Sequence, residues 1–270
     1  MHPLPEPAAS VFVLLVGLVL GSFLNVCIYR LPRGESLVRP RSRCRSCKKP
    51  ILWYQNVPVL SWLFLRGRCA RCGGSISLRY PLVELLSGGF LLALWMTYGP
   101  SAAFAISSVF ALALVVLFFT DLDLQLLPDV ITLPGFAAGV ALAWVNPFLG
   151  QELPWARVWT SVAGGALGAG VLWGIGALYK RFRGVEAMGM GDVKMMSMVG
   201  AFTGPVGVLF TLLVASLAGA AVGLALIPLR GRTMKDALPF GCFLAPAAAA
   251  ALLYGKQAFD AYFRLVAPGI

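Results

Sequence analysis

The sequence predicts an all-α polytopic membrane protein of about eight transmembrane helices, with a small zinc-ribbon-like cytoplasmic insert. Three observations predict it. Hydrophobic residues make up 59% of the 270 residues and charged residues only 12%, and the mean hydropathy is +0.82, far above a soluble domain. Apolar runs of about 20 residues, the length that crosses a bilayer, recur along the chain. The one sizeable polar segment, residues 30–82, carries two Cys-x2-Cys pairs.

The elements follow in order. The run 9–29 resembles a secretory signal in length, but it lacks a basic leading region and no A-x-A-like site precedes the polar segment. It therefore reads as a retained anchor, and residues 1–29 form the first membrane helix. Residues 30–82 form the insert. Residues 83–270 form a membrane body with runs at 83–99, 101–120, 130–146, 158–179, 193–204, 205–228 and 239–255. The run 193–204 is short enough to tilt, re-enter or merge with its neighbour. Pro128, after Leu126 and Leu127, cannot continue a helix from them, and Asp129 stands where an N-cap for the next helix belongs. The run 158–179 carries Gly164, Gly165, Gly168, Gly170, Gly174 and Gly176, and the run 205–228 carries Ala215, Gly219 and Gly223. Such small residues let helix backbones approach closely in lipid, so they are assigned to packing. No internal repeat is evident.

The net charge of +11 is unevenly spread. The segment 30–82 holds 12 Lys and Arg against one acidic residue, Glu35. With eight spans, Lys180, Arg181, Arg183, Lys194, Arg230, Arg232 and Lys235 fall on the same side, making 12 + 7 = 19 of the 22 basic residues. Arg157, Lys256 and Arg264 fall on the other. The positive-inside rule places the insert in the cytoplasm. Topology and anionic membrane lipid account for the basic residues, so no nucleic-acid partner is expected.

Two acidic clusters sit at the edges of apolar runs. Asp121-Leu122-Asp123 closes the run from Ala102 to Thr120, and Gly189-Met190-Gly191-Asp192 opens another. Ionisable groups at a bilayer edge are costly and so functional by default, yet a lone Asp there reads first as a helix cap or a headgroup contact; the Gly-x-Gly-Asp context reverses that preference. Asp121 and Asp192, brought together, could share a proton and activate a water, the chemistry of aspartic proteases. Gly189 and Gly191 would loosen the backbone beside Asp192 so that an extended substrate can approach. Asp123 either orients Asp121 or lies in solvent. Lys194 either faces headgroups or steers substrate.

Cys44-x2-Cys47 and Cys69-x2-Cys72, 21 residues apart, offer four thiolates for one tetrahedral zinc ion with no open position, hence a structural site. The alternatives are free thiols or disulfides, and disulfides would need an oxidising compartment, whereas the charge pattern places this loop in the reducing cytosol. Arg43, Arg45, Arg68 and Arg71 favour the thiolate forms. Gly73-Gly74 suits a tight knuckle turn. Cys27 and Cys242 lie in apolar runs and read as small buried hydrophobes.

Together these residues resemble the type IV prepilin peptidases, the leader peptidase and N-methyltransferase family of bacterial membranes, a GxGD-type aspartic protease group. The resemblance is carried by Gly21-Ser22-Phe23-Leu24-Asn25-Val26 with Tyr29-Arg30-Leu31-Pro32, by the double Cys-x2-Cys, by Arg79-Tyr80-Pro81-Leu82-Val83-Glu84, by Asp121-Leu122-Asp123 with Pro128-Asp129, and by Gly189-Met190-Gly191-Asp192-Val193-Lys194. It covers nearly the whole chain. It implies that Asp121 and Asp192 are catalytic. It further implies that prepilin or pseudopilin substrates, with a short basic leader before an apolar helix, are cut at the cytoplasmic face of the bacterial inner membrane. The new N-terminus would then be methylated from S-adenosylmethionine with the insert taking part. No nucleotide-binding glycine fingerprint occurs in 30–82. Gly67, Arg79 and Glu84 are the candidates to hold the donor, with a turn, a positive-inside anchor and a hydrogen-bond partner as their plainer roles. The family commonly carries Pro-Phe-Gly-Pro before the last helix, whereas here Cys242 follows Pro239-Phe240-Gly241.

Two rival readings use the same residues. A proton-coupled transporter would relay protons through the carboxylates, and inverted repeats would support it. An assembly scaffold would dock partners on the zinc insert.

Overall fold

The structure, a computed structural model, describes residues 6–185, 188–230 and 238–266, the side chains of 227–230 and 255–266 excepted. Arg232 and Lys235 lie outside the described residues, as do the side chains of Arg230, Lys256 and Arg264. The described residues form helices and contain no strand. Eight α-helices follow in order: α1 Pro7–Arg30, α2 Leu60–Phe64, α3 Arg79–Tyr98, α4 Ala102–Leu124, α5 Asp129–Leu142, α6 Pro154–Arg183, α7 Met190–Arg230 and α8 Gly241–Val266. Five, namely α1, α3, α4, α6 and α7, are long and apolar enough to cross a membrane, and α5 and α8 contribute shorter apolar stretches. The chain is a multi-pass membrane protein.

The runs 193–204 and 205–228 are continuous in α7, which is broken at Gly204 (φ 69°, ψ −177°). Straight, its 41 residues would reach about 60 Å, twice the bilayer core. Pro205 has no N–H for the ladder and disfavours helical backbone at the residue before it, so the break falls at Gly204-Pro205. With α7 read as two segments, the apolar helical segments among the described residues number eight. Helix α3 begins at Arg79, earlier than the apolar run, because Pro81 is tolerated in a first turn.

The chain divides into two compact units, Met1–Val116 and Leu117–Ile270. In the first, α1 packs on α3 along a seam of small residues. A Cβ on Gly17 would come within 2.7 Å of the Gly88 Cα, and one on Gly21 within 2.7 Å of the Glu84 Cα. In the second, α7 packs against α5, α6 and α8. Gly164 and Gly168 meet the α7 backbone at Gly200 and Met196, as the small-residue spacing anticipates. Gly170 and Gly174 depart from that expectation: nothing lies within 4 Å of a Cβ built on either. They face away from the seam, a quarter-turn or more from Gly168.

Residues 43–51 and 68–76 form two matching knuckles, each reading Arg-Cys-x2-Cys-x3-Ile. Cys44 N–H donates to Lys49 O and Cys69 N–H to Gly74 O, at 3.0 and 2.8 Å. Ile51 and Ile76 close the loops on Ser42 and Gly67, and the left-handed position falls on Lys48 in one and Gly73 in the other. The chain thus contains a short repeat, contrary to the sequence reading. The left-handed position is Lys in one copy and Gly in the other, which hides the likeness.

Candidate active site and metal centre

Asp121 lies in the last turn of α4 and is only 4% exposed. Its Oδ2 accepts a hydrogen bond from the backbone N–H of Cys242 at 2.8 Å. That N–H belongs to the first turn of α8, where backbone donors have no partner within the helix. A Cβ on Gly241 would lie 2.8 Å from the same carboxylate oxygen, so only glycine lets α8 start against Asp121. Asp192 lies in the first turn of α7, half-buried and within Coulombic range of Asp121. Its N–H donates to Gly189 O at 3.2 Å. Gly191 sits over Leu127, just beyond the end of α4, with a Cβ position 3.1 Å from the Leu127 Cβ. The end of α4 and the starts of α7 and α8 therefore converge, and the positive helix N-termini favour carboxylates there. Helix α6 ends at the same side of this unit with Lys180, Arg181 and Arg183, closed by Gly184 in left-handed backbone (φ 73°).

Asp129 is not the N-cap expected of it. Pro128 occupies that position, and Asp129 is the first helical residue of α5. Its carboxylate takes the Lys194 ammonium on both oxygens, at 2.7 and 2.8 Å. Lys194 is thus tied to α5 rather than standing free for headgroups or substrate. Asp123 is exposed.

In the first unit the four sulfurs of Cys44, Cys47, Cys69 and Cys72 lie within 4.8 Å of one another. The Cys44 and Cys72 sulfurs are 3.8 Å apart. Tetrahedral zinc with bonds of about 2.3 Å requires sulfur–sulfur edges of about 3.8 Å, so the residues fit the ion. Backbone amides of the knuckles favour thiolate. The Cys47 amide leads in pulling Cys44 down to about 6, and the Arg71 amide does the same, to a lesser degree, for Cys69. Cys72 accepts from the Gly74 amide, yet the neighbouring Cys47, burial, and then Cys69 and Cys44 push it up to about 11. Four thiolates this close need a cation among them. The six cysteines form no disulfide.

The same unit holds a cavity of about 840 Å³, within the range of small-molecule sites. Its wall includes Asn25 and Tyr29 of α1, Arg45 and Trp62 of the insert, and Tyr80 and Glu84 of α3. Glu84 is buried and accepts the Val59 N–H at 2.7 Å. Gly67 and Arg79 do not line the cavity. Gly67 turns the chain after α2 in left-handed backbone (φ 66°), its N–H on Trp62 O. The Arg45 and Arg33 guanidinium groups each lie 4.2 Å from the centre of the Tyr29 ring. Arg30, buried, donates to Ser36 O and Pro40 O, both at 2.7 Å, and so holds the loop after α1. Sequence reading missed Asn25, Gly241 and Cys242 as site residues; their signal was the motifs that contain them.

Comparison with known proteins bears on both units. The family model described as "Bacterial Peptidase A24 N-terminal domain" matches residues 15–98, and that described as "Type IV leader peptidase family" matches residues 108–224. The chain is 38% identical to a prepilin leader peptidase/N-methyltransferase of Aeromonas hydrophila, over 95% of this chain and 94% of the relative. It is 35% identical to one of Pseudomonas putida, over 97% and 96%. Against one of Myxococcus xanthus it is 42% identical, over 84% of this chain and 65% of the relative. No solved structure matches the chain.

Proposed function

We propose that this chain, which belongs to the type IV leader peptidase family, cleaves the leader from prepilin-like substrates with Asp121 and Asp192 and then methylates the new N-terminus. The convergence of these two carboxylates, from helices 71 positions apart in sequence, is the observation that carries the reading. Peptide hydrolysis needs a base to take a proton from water and an acid to protonate the leaving amine. Two carboxylates that share one proton supply both, and the roles belong to the pair rather than to either residue. Gly189 and Gly191 keep side chains off the approach to Asp192. The basic end of the second unit, with Lys180, Arg181 and Arg183, supports a cytoplasmic active site by the positive-inside rule.

The methyl donor of this reading is S-adenosylmethionine. It supplies, when bound, a methyl group on a sulfonium. The cavity of the first unit has the volume and aromatic wall to take it, with zinc on the four cysteines holding the insert folded. Residues 30–82, with the ends of α1 and α3, form the methyl-transfer part in this scheme, and the body after them the peptidase.

Asp121→Asn and Asp192→Asn test the pair. Asn offers an oxygen to the Cys242 N–H as Asp does, so the fold should persist. Leader removal from a prepilin by the purified protein in detergent should fall by about 10²-fold or more, the range of general acid–base catalysis. Full leader removal by either variant would overturn the assignment.

A further inference from the structure

We infer that the membrane end of the first unit's cavity, at Asn25 and Glu84, seats the primary amine that receives the methyl group. The inference rests on the methyl-transfer reading above and names the substrate group at that site. Asn25 is 3% exposed and lies in the cavity wall. Its Nδ2 donates to the carbonyls of Gly21 and Tyr80, at 3.3 and 3.1 Å. These two acceptors settle the orientation of the amide, because the flipped form would set oxygen against oxygen. Asn25 Oδ1 is then left buried without a partner. Such an orphan acceptor is rare in a native fold and asks for a donor.

Glu84, one helical turn along α3 from the Tyr80 carbonyl that Asn25 meets, lines the same cavity as the second acceptor. Its Oε2 takes the Val59 N–H at 2.7 Å, and the Ser22 hydroxyl also donates to the carboxylate. Val59 is β-branched yet has a positive φ (60°, with ψ −52°), a strained conformation that the surroundings must hold. The carboxylate is therefore anchored at one oxygen by a strained turn. An amide oxygen and a carboxylate together form a set of acceptors, suited to a primary amine or ammonium with three N–H groups and unsuited to an anion.

Position decides which amine. Asn25 lies on α1 and Glu84 on α3, both membrane-length helices, whereas the rest of the wall comes mainly from the insert. Asn25 is about 7 Å below the end of α1, at 1.5 Å per residue. An amine at the head of an apolar helix arrives from that depth, while a polar donor molecule enters from the insert side. The amine arrives as an ammonium and gives one proton to Glu84. Its freed lone pair forms the new N–C bond as the S–C bond breaks, the electron pair staying on sulfur. The product is a secondary ammonium, and the Glu84 proton passes to solvent.

The test uses the full chain in detergent and two fluorescent peptides with the mature N-terminal sequence of a pilin. One has a free amine, and in the other hydrogen replaces the amine. Binding is read by anisotropy with S-adenosylhomocysteine at saturation, the affinity for S-adenosylhomocysteine is measured separately, and bound zinc reports that the first unit of each variant is folded. The free-amine peptide should bind wild type about tenfold more tightly, the worth of a charge-assisted hydrogen bond. Glu84→Gln and Asn25→Leu should lose most of that preference. Unchanged preference in Glu84→Gln and Asn25→Leu would overturn the inference and leave a water on Asn25. Loss of S-adenosylhomocysteine affinity with the preference intact would also overturn it, giving the seat to the donor's own amino group. A wild type that prefers the free amine but transfers no methyl keeps the seat and removes the methyl-transfer reading instead.

Discussion

Asp121 is held by a backbone donor, the N–H of Cys242, at 2.8 Å. A charge-assisted bond of this kind contributes about 1.5–3 kcal/mol. Proline at the same position has no N–H to give. Position 242 is in the first turn of α8, where proline is accepted by the helix, so Cys242→Pro isolates the donor. The family commonly carries proline here, so the bond bears on stability rather than on the chemistry: Cys242→Pro should lose about 1.5–3 kcal/mol in thermal unfolding and keep leader removal, and Cys242→Ala, which keeps the N–H, should lose neither. Equal thermal stability of the two variants in detergent would mean that Asp121 does not depend on this bond. Gly241 is constrained for a different reason: any side chain there strikes the carboxylate.

At the scale of elements, the α6 and α7 seam positions Asp192. Gly168 has the Met196 backbone against it, whereas a Cβ on Gly174 meets nothing within 4 Å. In an exposed helix interior Gly→Ala is favourable by about 1 kcal/mol. Gly174→Ala should therefore be neutral or stabilising. Gly168→Ala should lose about 1–3 kcal/mol through overpacking and slow cleavage with it, because α7 must shift. Thermal unfolding in detergent and leader removal read the two effects together, and a Gly168→Ala protein as stable and active as Gly174→Ala would contradict the seam. The Asp129–Lys194 pair joins α5 to α7 close to Asp192 but is partly exposed, at 56% and 32%. Pairs of this exposure contribute about 0–1 kcal/mol, so the pair sets a direction for Lys194 more than it holds the helices.

At the scale of the whole chain, the four-thiolate cluster and the cavity belong to one compact unit and the paired carboxylates to the other. Each unit has its own packing, so damage to one should spare the other in part. Cys44→Ser with Cys72→Ser should lose about one equivalent of zinc, the stoichiometry of one four-ligand site. Methyl transfer should then fall more than leader removal, since loss of the ion disorders the knuckles but not α4 and α7. Zinc content, cleavage and methylation followed on one prepilin supply the ratio. Unchanged methylation in a zinc-free protein would separate the insert from that reaction.

Hydrophobic run length by itself determined the membrane helices, because the cost of polar backbone and charge in lipid is written locally in each segment. The cysteine spacing likewise determined the cluster, since two short knuckles bring their own thiols together. The bilayer-edge position of Asp121 and Asp192 marked them before any contact was known. Tertiary structure alone decided which groups those residues meet. The Cys242 N–H reaches Asp121 across 121 positions, and Lys194 reaches Asp129 across 65. The missing partner of Asn25 exists only because α1 and α3 close on each other and leave one amide oxygen behind. Composition and spacing record what each segment can bury. The pairing of polar atoms depends on helix packing at the level of an ångström, and no local pattern in the chain carries that information.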